Sequence, residues 1–475
     1  MRRPLMLFAV LLSIGLVGLG SVLVFLRRAE VQIAQVFRSA APNEEHSTWI
    51  GSVSVFDGER LLRDQDVLLR GATVVSVTAA GGQTPPTGAL RIDGRGRTLL
   101  PGLIDSHAHL LTAGAPPWAT FLPKTDSNAR AMLYAGVTSV LVAQSGPDED
   151  RLLRKSEHGS SAVPHLFVAG PGLTAPGGHP IPFVRALLPW PLSSFVTARQ
   201  PTAATAQEAR TQVARIWGMH HPPLCKIFFD ALPKGAPQLS REVLRSAIKE
   251  ARDVGMRPIV HIGSSADMVI AAEEGAALLM HLPSKDVLSD EQVATLARIK
   301  IPFVTTLRTL LASDEVGRTG GTQLEREIMD ARLIESFAHK PPGFAIRGFE
   351  QLETEFPQAA ARMRENIQRL TRAGVPFFVG TDAGVFGVFP GASLHGEIRE
   401  LEKAGLSPQD ILRAATSAPA AFLDPSRSFG QVAAGQRADL LLVRGDPLSD
   451  LGALSAMEEV WLSGVRLTRR PVSAQ

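Results

Sequence analysis

The stretch from Leu99 to Leu111, Leu-Leu-Pro-Gly-Leu-Ile-Asp-Ser-His-Ala-His-Leu-Leu, constrains this chain more than any other part of it. It is an apolar run of strand length that ends in histidines at positions i and i+2. Side chains alternate along a strand with a period of two, so His107 and His109 share one face and bring two imidazoles side by side, an arrangement able to grip a metal ion. Two half-buried structural histidines would give the same pattern. What decides between these readings is whether other strands also finish in metal-binding residues.

From Leu99 to about Asp424 short apolar runs alternate with helical patterns. Strands are expected at Leu99–His109, Val137–Ala143, His165–Ala169, Leu224–Phe229, Pro258–Ile262, Ala277–Leu282, Pro302–Leu307 and Pro376–Thr381. Helices are expected at Thr205–Trp217, Ser240–Val254, Ala266–Glu274, Asp290–Ile299 and Pro357–Ala373. Such alternation predicts a (β/α)8 TIM barrel, whose active site lies at the C-terminal ends of the strands. The fourth strand, Leu-Cys-Lys-Ile-Phe-Phe-Asp, sets Lys226 among apolar neighbours, where a lone ammonium is costly to bury. The fifth ends in His261, the sixth in His281, and the eighth in Gly-Thr-Asp-Ala-Gly with Asp382. One strand-end histidine means little, and a strand lysine usually snorkels to solvent. Six such residues on five converging strands predict a site for divalent metal, with the nitrogen and carboxylate donors that zinc accepts.

The two ends of the chain share another texture. Trp49 to about Asp93 and Gly435 to Leu467 read as short strands with turns at Asp57-Gly58 and Arg444-Gly445-Asp446-Pro447. Neither half can bury a core alone, which predicts one small β-domain built from residues 47–98 and 428–475, with the barrel, 99–427, inserted between them. Pro4 to Leu26 is an uncharged, mostly apolar stretch of 23 residues flanked by Arg2-Arg3 and Arg27-Arg28. As a helix it would rise about 34 Å, enough to cross a hydrocarbon core of ~30 Å. A cleaved signal peptide has a shorter apolar core followed by small residues, and here two arginines follow. The reading is therefore an N-terminal transmembrane anchor over residues 1–28 and a tether over 29–46, with the catalytic part exported to the periplasmic or extracellular side.

With 45% hydrophobic and 20% charged residues the composition is that of an ordinary globular protein. Of the net charge of +3, the first 45 residues hold +2. No basic stripe remains to argue for nucleic acid. Cys225 is the single cysteine, so no intrachain disulfide forms and cysteine usage does not decide the compartment.

Together, Pro-Gly-Leu-Ile-Asp-Ser-His-Ala-His, the Lys-Ile-Phe strand, His261, His281, Gly-Thr-Asp-Ala-Gly and the closing Gly-Gln-Arg-Ala-Asp-Leu-Leu-Leu-Val-Arg-Gly-Asp-Pro resemble the metal-dependent amidohydrolase superfamily. The resemblance runs from Trp49 to Leu467 and is closest to the imidazolonepropionase-like and prolidase-like branch. It implies a distorted barrel with a β-sandwich flank. It also implies two divalent metal ions, such as zinc, one held by His107, His109 and Asp382, the other by His261 and His281. Carboxylated Lys226 would bridge them, which also answers its burial. Imidazolonepropionase uses one metal and lacks this lysine, so Lys226 favours the prolidase-like side. Asp382 becomes the general base and then acid, cleaving the amide of a dipeptide, N-acyl amino acid or cyclic amide.

Three further features concern substrate. Gly170–His179 resembles a glycine-rich loop of this branch, giving His179 a role in orienting a substrate carbonyl or carboxylate. His395 matches a family position near the site. Ile181–Trp190, apolar and proline-punctuated, reads as a lid or as a membrane-surface contact. The one departure is that Tyr134, the only tyrosine, falls in a helix, so the carboxylate-binding residue is open, with Arg185 and Arg308 as candidates. Ester or lactone hydrolysis, deamination on the same site, and a silent membrane-tethered binding protein are the rival readings, and a homo-oligomer is compatible with all of them.

Overall fold

The computed structural model describes residues 32–38, 47–119, 124–157, 162–188, 190–311, 317–344 and 352–472. In chain order the first strands are β1 (Gln35–Arg38), β2 (Ser47–Phe56), β3 (Leu61–Arg70), β4 (Thr73–Ala79), β5 (Leu90–Asp93) and β6 (Arg97–Pro101). Then come β7 (Leu103–Ala108), β8 (Val137–Val142), β9 (His165–Val168), β10 (Leu224–Phe229), β11 (Arg257–Ile262), β12 (Leu278–Met280), β13 (Phe303–Val304) and β14 (Phe377–Phe378). The last three are β15 (Leu440–Arg444), β16 (Met457–Leu462) and β17 (Val465–Arg470).

Strands β7 to β14 are all parallel and fall into a three-stranded sheet, β7-β8-β9, and a five-stranded sheet, β10 to β14. The expected single barrel sheet is therefore corrected to two. The ladder breaks after β9 because Gly-Pro-Gly follows and Pro171 has no N–H to give. Leu173 spans that gap, donating to Lys226 O (2.9 Å) and accepting from Phe228 N (2.8 Å). At the other edge Ser106 N donates to Val379 O (3.0 Å) and Asp382 N to His107 O (2.7 Å). Inside, Ile104, Leu141, Leu224, Ile259, Leu278, Met280, Val304 and Phe378 form one buried cluster. Their alternate neighbours, among them Val140, Cys225, Ile227, Val260 and Phe303, belong to the larger core shared with the helices. By the period of two, Lys226 takes the inner face with Leu224.

Helices fill the connections where the apolar spacing placed them, as at Ala206–His220, Arg241–Asp253 and Ser265–Glu273. Ser264 and Ser289 start their helices with capping boxes, each hydroxyl accepting the third residue's N–H.

The chain ends build one mixed sheet of nine strands, ordered β1-β17-β16-β15-β6-β2-β3-β4 with β5 on β2, rather than the expected sandwich. Its core is Ile50, Val53, Val55, Val67, Leu69, Leu99, Leu440, Leu442 and Trp461. The run Leu99–His109, expected as one strand, divides at Gly102: β6 pairs with β15 in this sheet, and β7 opens the parallel one. A Cβ at Gly102 would lie 2.1 Å from Thr138 Oγ1, so only glycine lets the chain pass between the sheets there. The expected tether is also partly ordered structure. Val36 is buried, and β1 pairs antiparallel with β17, covering an otherwise open edge.

The transmembrane anchor and the exported location are corrected as well. Residues 4–26 lie outside the described residues, and among the described residues no helix is long and apolar enough to cross a membrane.

Candidate active site

The C-terminal ends of the parallel strands bring His107, His109, Lys226, His261, His281 and Asp382 toward one place, each set there by its strand. His107 is the penultimate residue of β7 and is wholly buried. Asp105, also buried, accepts from His107 N (3.2 Å), Thr381 N (3.1 Å) and Thr381 Oγ1 (2.6 Å), tying β7 to the Asp382 loop. Burial pushes its carboxyl up to about 7 against those hydrogen bonds. Asp382 sits at φ +61° and His281 at +78°, a left-handed backbone uncommon for residues with a side chain.

Asp382 Oδ1 is 3.3 Å from His107 Nε2 and 3.1 Å from His109 Nε2. Rings follow one another from there, tilted or edge-on: His107 to His281 at 4.5 Å, His281 to His261 at 4.4 Å, and His261 to His179 at 4.9 Å between centroids. One donor atom each from His107, His281 and Asp382 lies within 4.8 Å of the others. This grouping cuts across the expected partition, joining His281 to His107 and Asp382. The second nitrogens are held from behind. Thr306 Oγ1 lies 2.7 Å from His281 Nδ1, and Asp230 Oδ2 lies 3.5 Å from His261 Nε2. Those contacts engage one nitrogen of each ring, as outer partners of metal-binding imidazoles do, and would leave His281 Nε2 and His261 Nδ1 to face a metal.

The residues fit a divalent metal on an observation of their own. Both nitrogens of His107 and Oδ1 of Asp382 are buried without a hydrogen bond, although Nε2 and Oδ1 are close; lone pairs aimed at a common point explain that geometry. Protonation states agree. Burial, and then the Lys226 charge, pulls His107 down to about 4. Burial and neighbouring imidazoles hold His261 and His281 well below the ordinary histidine value. Burial opposes ionisation of Asp382, but His107 and His109 outweigh it and keep the carboxyl well below its usual range. Neutral imidazoles beside an ionised carboxylate are the forms that ligate metal. Burial also lowers the Lys226 ammonium to about 7, against the pull of Asp382, and its side chain makes no hydrogen bond or ion pair among the described residues.

The two residues expected at substrate part company. His179 joins the cluster, its ring 5.4 Å from that of Phe228 and its Nδ1 buried without a partner. His395 is placed elsewhere, buried in the helix Ala392–Lys403 with Nε2 2.9 Å from Ala135 O at the end of the helix Thr125–Tyr134. Of the two arginine candidates, Arg185 is exposed and Arg308 packs its chain over Gly396.

Asp230, Asp105 and Thr306 were not singled out from the sequence. Asp230 closes the Lys226 strand and pairs with Lys285, and a Cβ at Gly263 would lie 2.3 Å from its Oδ1, so Gly263 makes room for it. The first two stood inside the motifs as a carboxylate at a strand end and one two residues before His107. Thr306 carried no pattern.

Residues 98–467 match the amidohydrolase family. No curated protein matches in sequence. Among solved structures, the chain is similar to a Xaa-Pro dipeptidase with bound methionine at 19% identity, TM-score 0.72, covering 88% of this chain and 99% of that one. It is similar to a prolidase complexed with N-methylphosphonate-L-proline at 24% identity, TM-score 0.70, covering 89% and 100%. Ochratoxinase of A. niger follows at 19% identity, TM-score 0.68, covering 89% and 95%. With a match over most of its length and a His/His/Asp group able to hold a metal, the chain belongs to the amidohydrolase family of metal-dependent hydrolases.

Proposed function

We propose that this protein hydrolyses the amide bond of a dipeptide, an N-acyl amino acid or a cyclic amide, with two divalent metals held by His107, His109, His261, His281 and Asp382 and bridged by carboxylated Lys226. The observation that carries the reading is the convergence of His107, His281 and Asp382, with the ring nitrogens of His107 and Oδ1 of Asp382 buried without a hydrogen bond. The structural neighbours that act on prolyl dipeptides and ochratoxin support the substrate class.

A divalent metal bound there supplies hydroxide at neutral pH and polarises the scissile carbonyl. Asp382 takes the proton of the attacking water and delivers it to the leaving nitrogen, base first and acid second. His179, beside His261 and with a free ring nitrogen, orients the substrate carbonyl or carboxylate. Lys226, lowered to about 7, supplies the neutral amine that attacks carbon dioxide; the N–C bond of the carbamate forms and one proton leaves.

A panel of dipeptides, N-acyl amino acids and cyclic amides, run beside matched esters and lactones on the metal-loaded full chain, tests the assignment. Amide turnover exceeding ester turnover for some member supports it. Ester or lactone cleavage with no amide turnover contradicts it.

Thr306→Val tests how His281 is held. Both side chains are β-branched, so the backbone strain at φ +52° is unchanged and only the hydrogen bond to Nδ1 is lost. Metal affinity, read by competition with a chromophoric chelator, is expected to fall about 10- to 100-fold. An unchanged affinity would remove Thr306 from the account.

A further inference from the structure

Glu397, in the helix Ala392–Lys403, is a wholly buried carboxylate outside the His/Asp cluster. Both of its oxygens are engaged. Oε1 accepts from Leu307 N (2.9 Å) and Oε2 from Arg308 N (2.8 Å), so one side chain holds two consecutive backbone amides of the segment that follows β13. Hydrogen bonds to an ionised acceptor are stronger than neutral ones, and a two-point grip fixes direction as well as distance. The residue just before those amides is Thr306, whose Oγ1 lies 2.7 Å from His281 Nδ1. Thr306 is buried at φ +52° and donates its own N–H to Gly380 O (3.2 Å), two residues before Asp382. A β-branched residue takes that left-handed backbone only where its surroundings impose it. Glu397 supplies the constraint on one side of Thr306 and Gly380 on the other. Asp105 has the same form beneath His107, accepting from His107 N and Thr381 N.

We propose that Glu397 is a positioning residue of the metal centre: its hold on Leu307 N and Arg308 N fixes Thr306, and Thr306 fixes the ring of His281. The proposal rests on the reading that His281 ligates metal. A group that orients a metal-binding imidazole is worth about 10- to 100-fold in metal affinity. Glu397 reaches the metal only through such a group, so its effect is contained in that of Thr306. A carboxylate that merely capped the short helix Arg308–Leu311 would add to folding stability and leave the metal affinity of the folded protein alone.

The test is a double-mutant cycle on the full chain, read as zinc affinity by competition with a chromophoric chelator. Wild type is compared with Glu397→Gln, Thr306→Val and the double variant, and denaturant unfolding of the metal-free proteins shows that each is folded in the assay. Glu397→Gln is expected to weaken zinc binding about tenfold, and the double variant to bind no more weakly than Thr306→Val alone, because both changes break one line of contacts. Should Glu397→Gln fail to fold, Glu397→Asp, which keeps the charge and draws it back by one methylene, is read by the same criteria. Wild-type affinity in the Glu397 variant, or a loss that multiplies in full with that of Thr306→Val, overturns the proposal. His281→Ala, run in parallel, isolates the reading beneath it. Unchanged zinc affinity there removes His281 as a ligand and overturns the Glu397 proposal with it, whereas weakened binding there beside wild-type affinity in the Glu397 variant overturns the proposal alone.

Discussion

Asp382→Asn is expected to lower kcat by about 10³-fold on any amide the protein hydrolyses, the middle of the range for losing a positioned general acid–base. The substitution keeps the shape of the side chain, and the backbone contact from Asp382 N to His107 O (2.7 Å) is untouched, so the fold should survive. What it removes is the group that carries the proton from water to the leaving nitrogen. It also takes the charge from an oxygen lying between His107 and His109. Steady-state kinetics with metal content measured on the same sample separate the two effects. If metal is retained and kcat still collapses, Asp382 is the proton carrier. If kcat stays within tenfold of wild type, Asp382 is not the acid–base group.

The largest effect on stability is expected at Asp439, at the seam between the two kinds of sheet. Its backbone oxygen accepts from Gly102 N (2.8 Å), at the division between β6 and β7. Its buried carboxylate accepts from Ser463 N (2.7 Å), pairs with Arg437 (2.5 Å) and lies 3.3 Å from His165 at the start of β9. Burial works against ionisation there, yet His165, Arg437 and Ser463 N hold the carboxyl well below its ordinary value of 3.8. A lowered carboxyl adds stability that is complete above that ordinary value and drains away as pH falls toward the folded one. Breaking such a buried pair costs about 3 kcal/mol or more. Asp439→Asn should therefore unfold at markedly lower denaturant concentration at pH 7, and the gap to wild type should close as the solution is taken below pH 3.8. A gap that persists unchanged in acid would mean that packing, not charge, holds this seam.

Much of the site was legible because its chemistry is periodic. His107 with His109, Lys226 inside an apolar strand, and His261, His281 and Asp382 at strand ends are patterns of residue type against the period of a strand, and the structure brings those strand ends together. Less legible was what tertiary contact decides. Nothing local says that Leu99–His109 must divide, because the division at Gly102 depends on Thr138 from a different strand. The strand β1 was hidden in a stretch read as a tether, since its partner β17 lies more than four hundred residues away. His395 looked like a site residue by position, and only its bond to Ala135 O shows what it touches. Thr306 and Asp230 act through histidines they neither neighbour nor resemble in spacing. Residues of that kind emerge only when the strands are side by side.

The measurement that bears most directly on the account is metal stoichiometry of the full chain, purified with bicarbonate present, for wild type beside Lys226→Ala. Lys226 is wholly buried on the inner face, so the smaller residue leaves the outer packing intact. The account predicts close to two metals per chain in wild type and a clear fall in the variant. One metal per chain, unchanged by Lys226→Ala, would contradict the bridged centre and leave a mononuclear site on the histidines and Asp382.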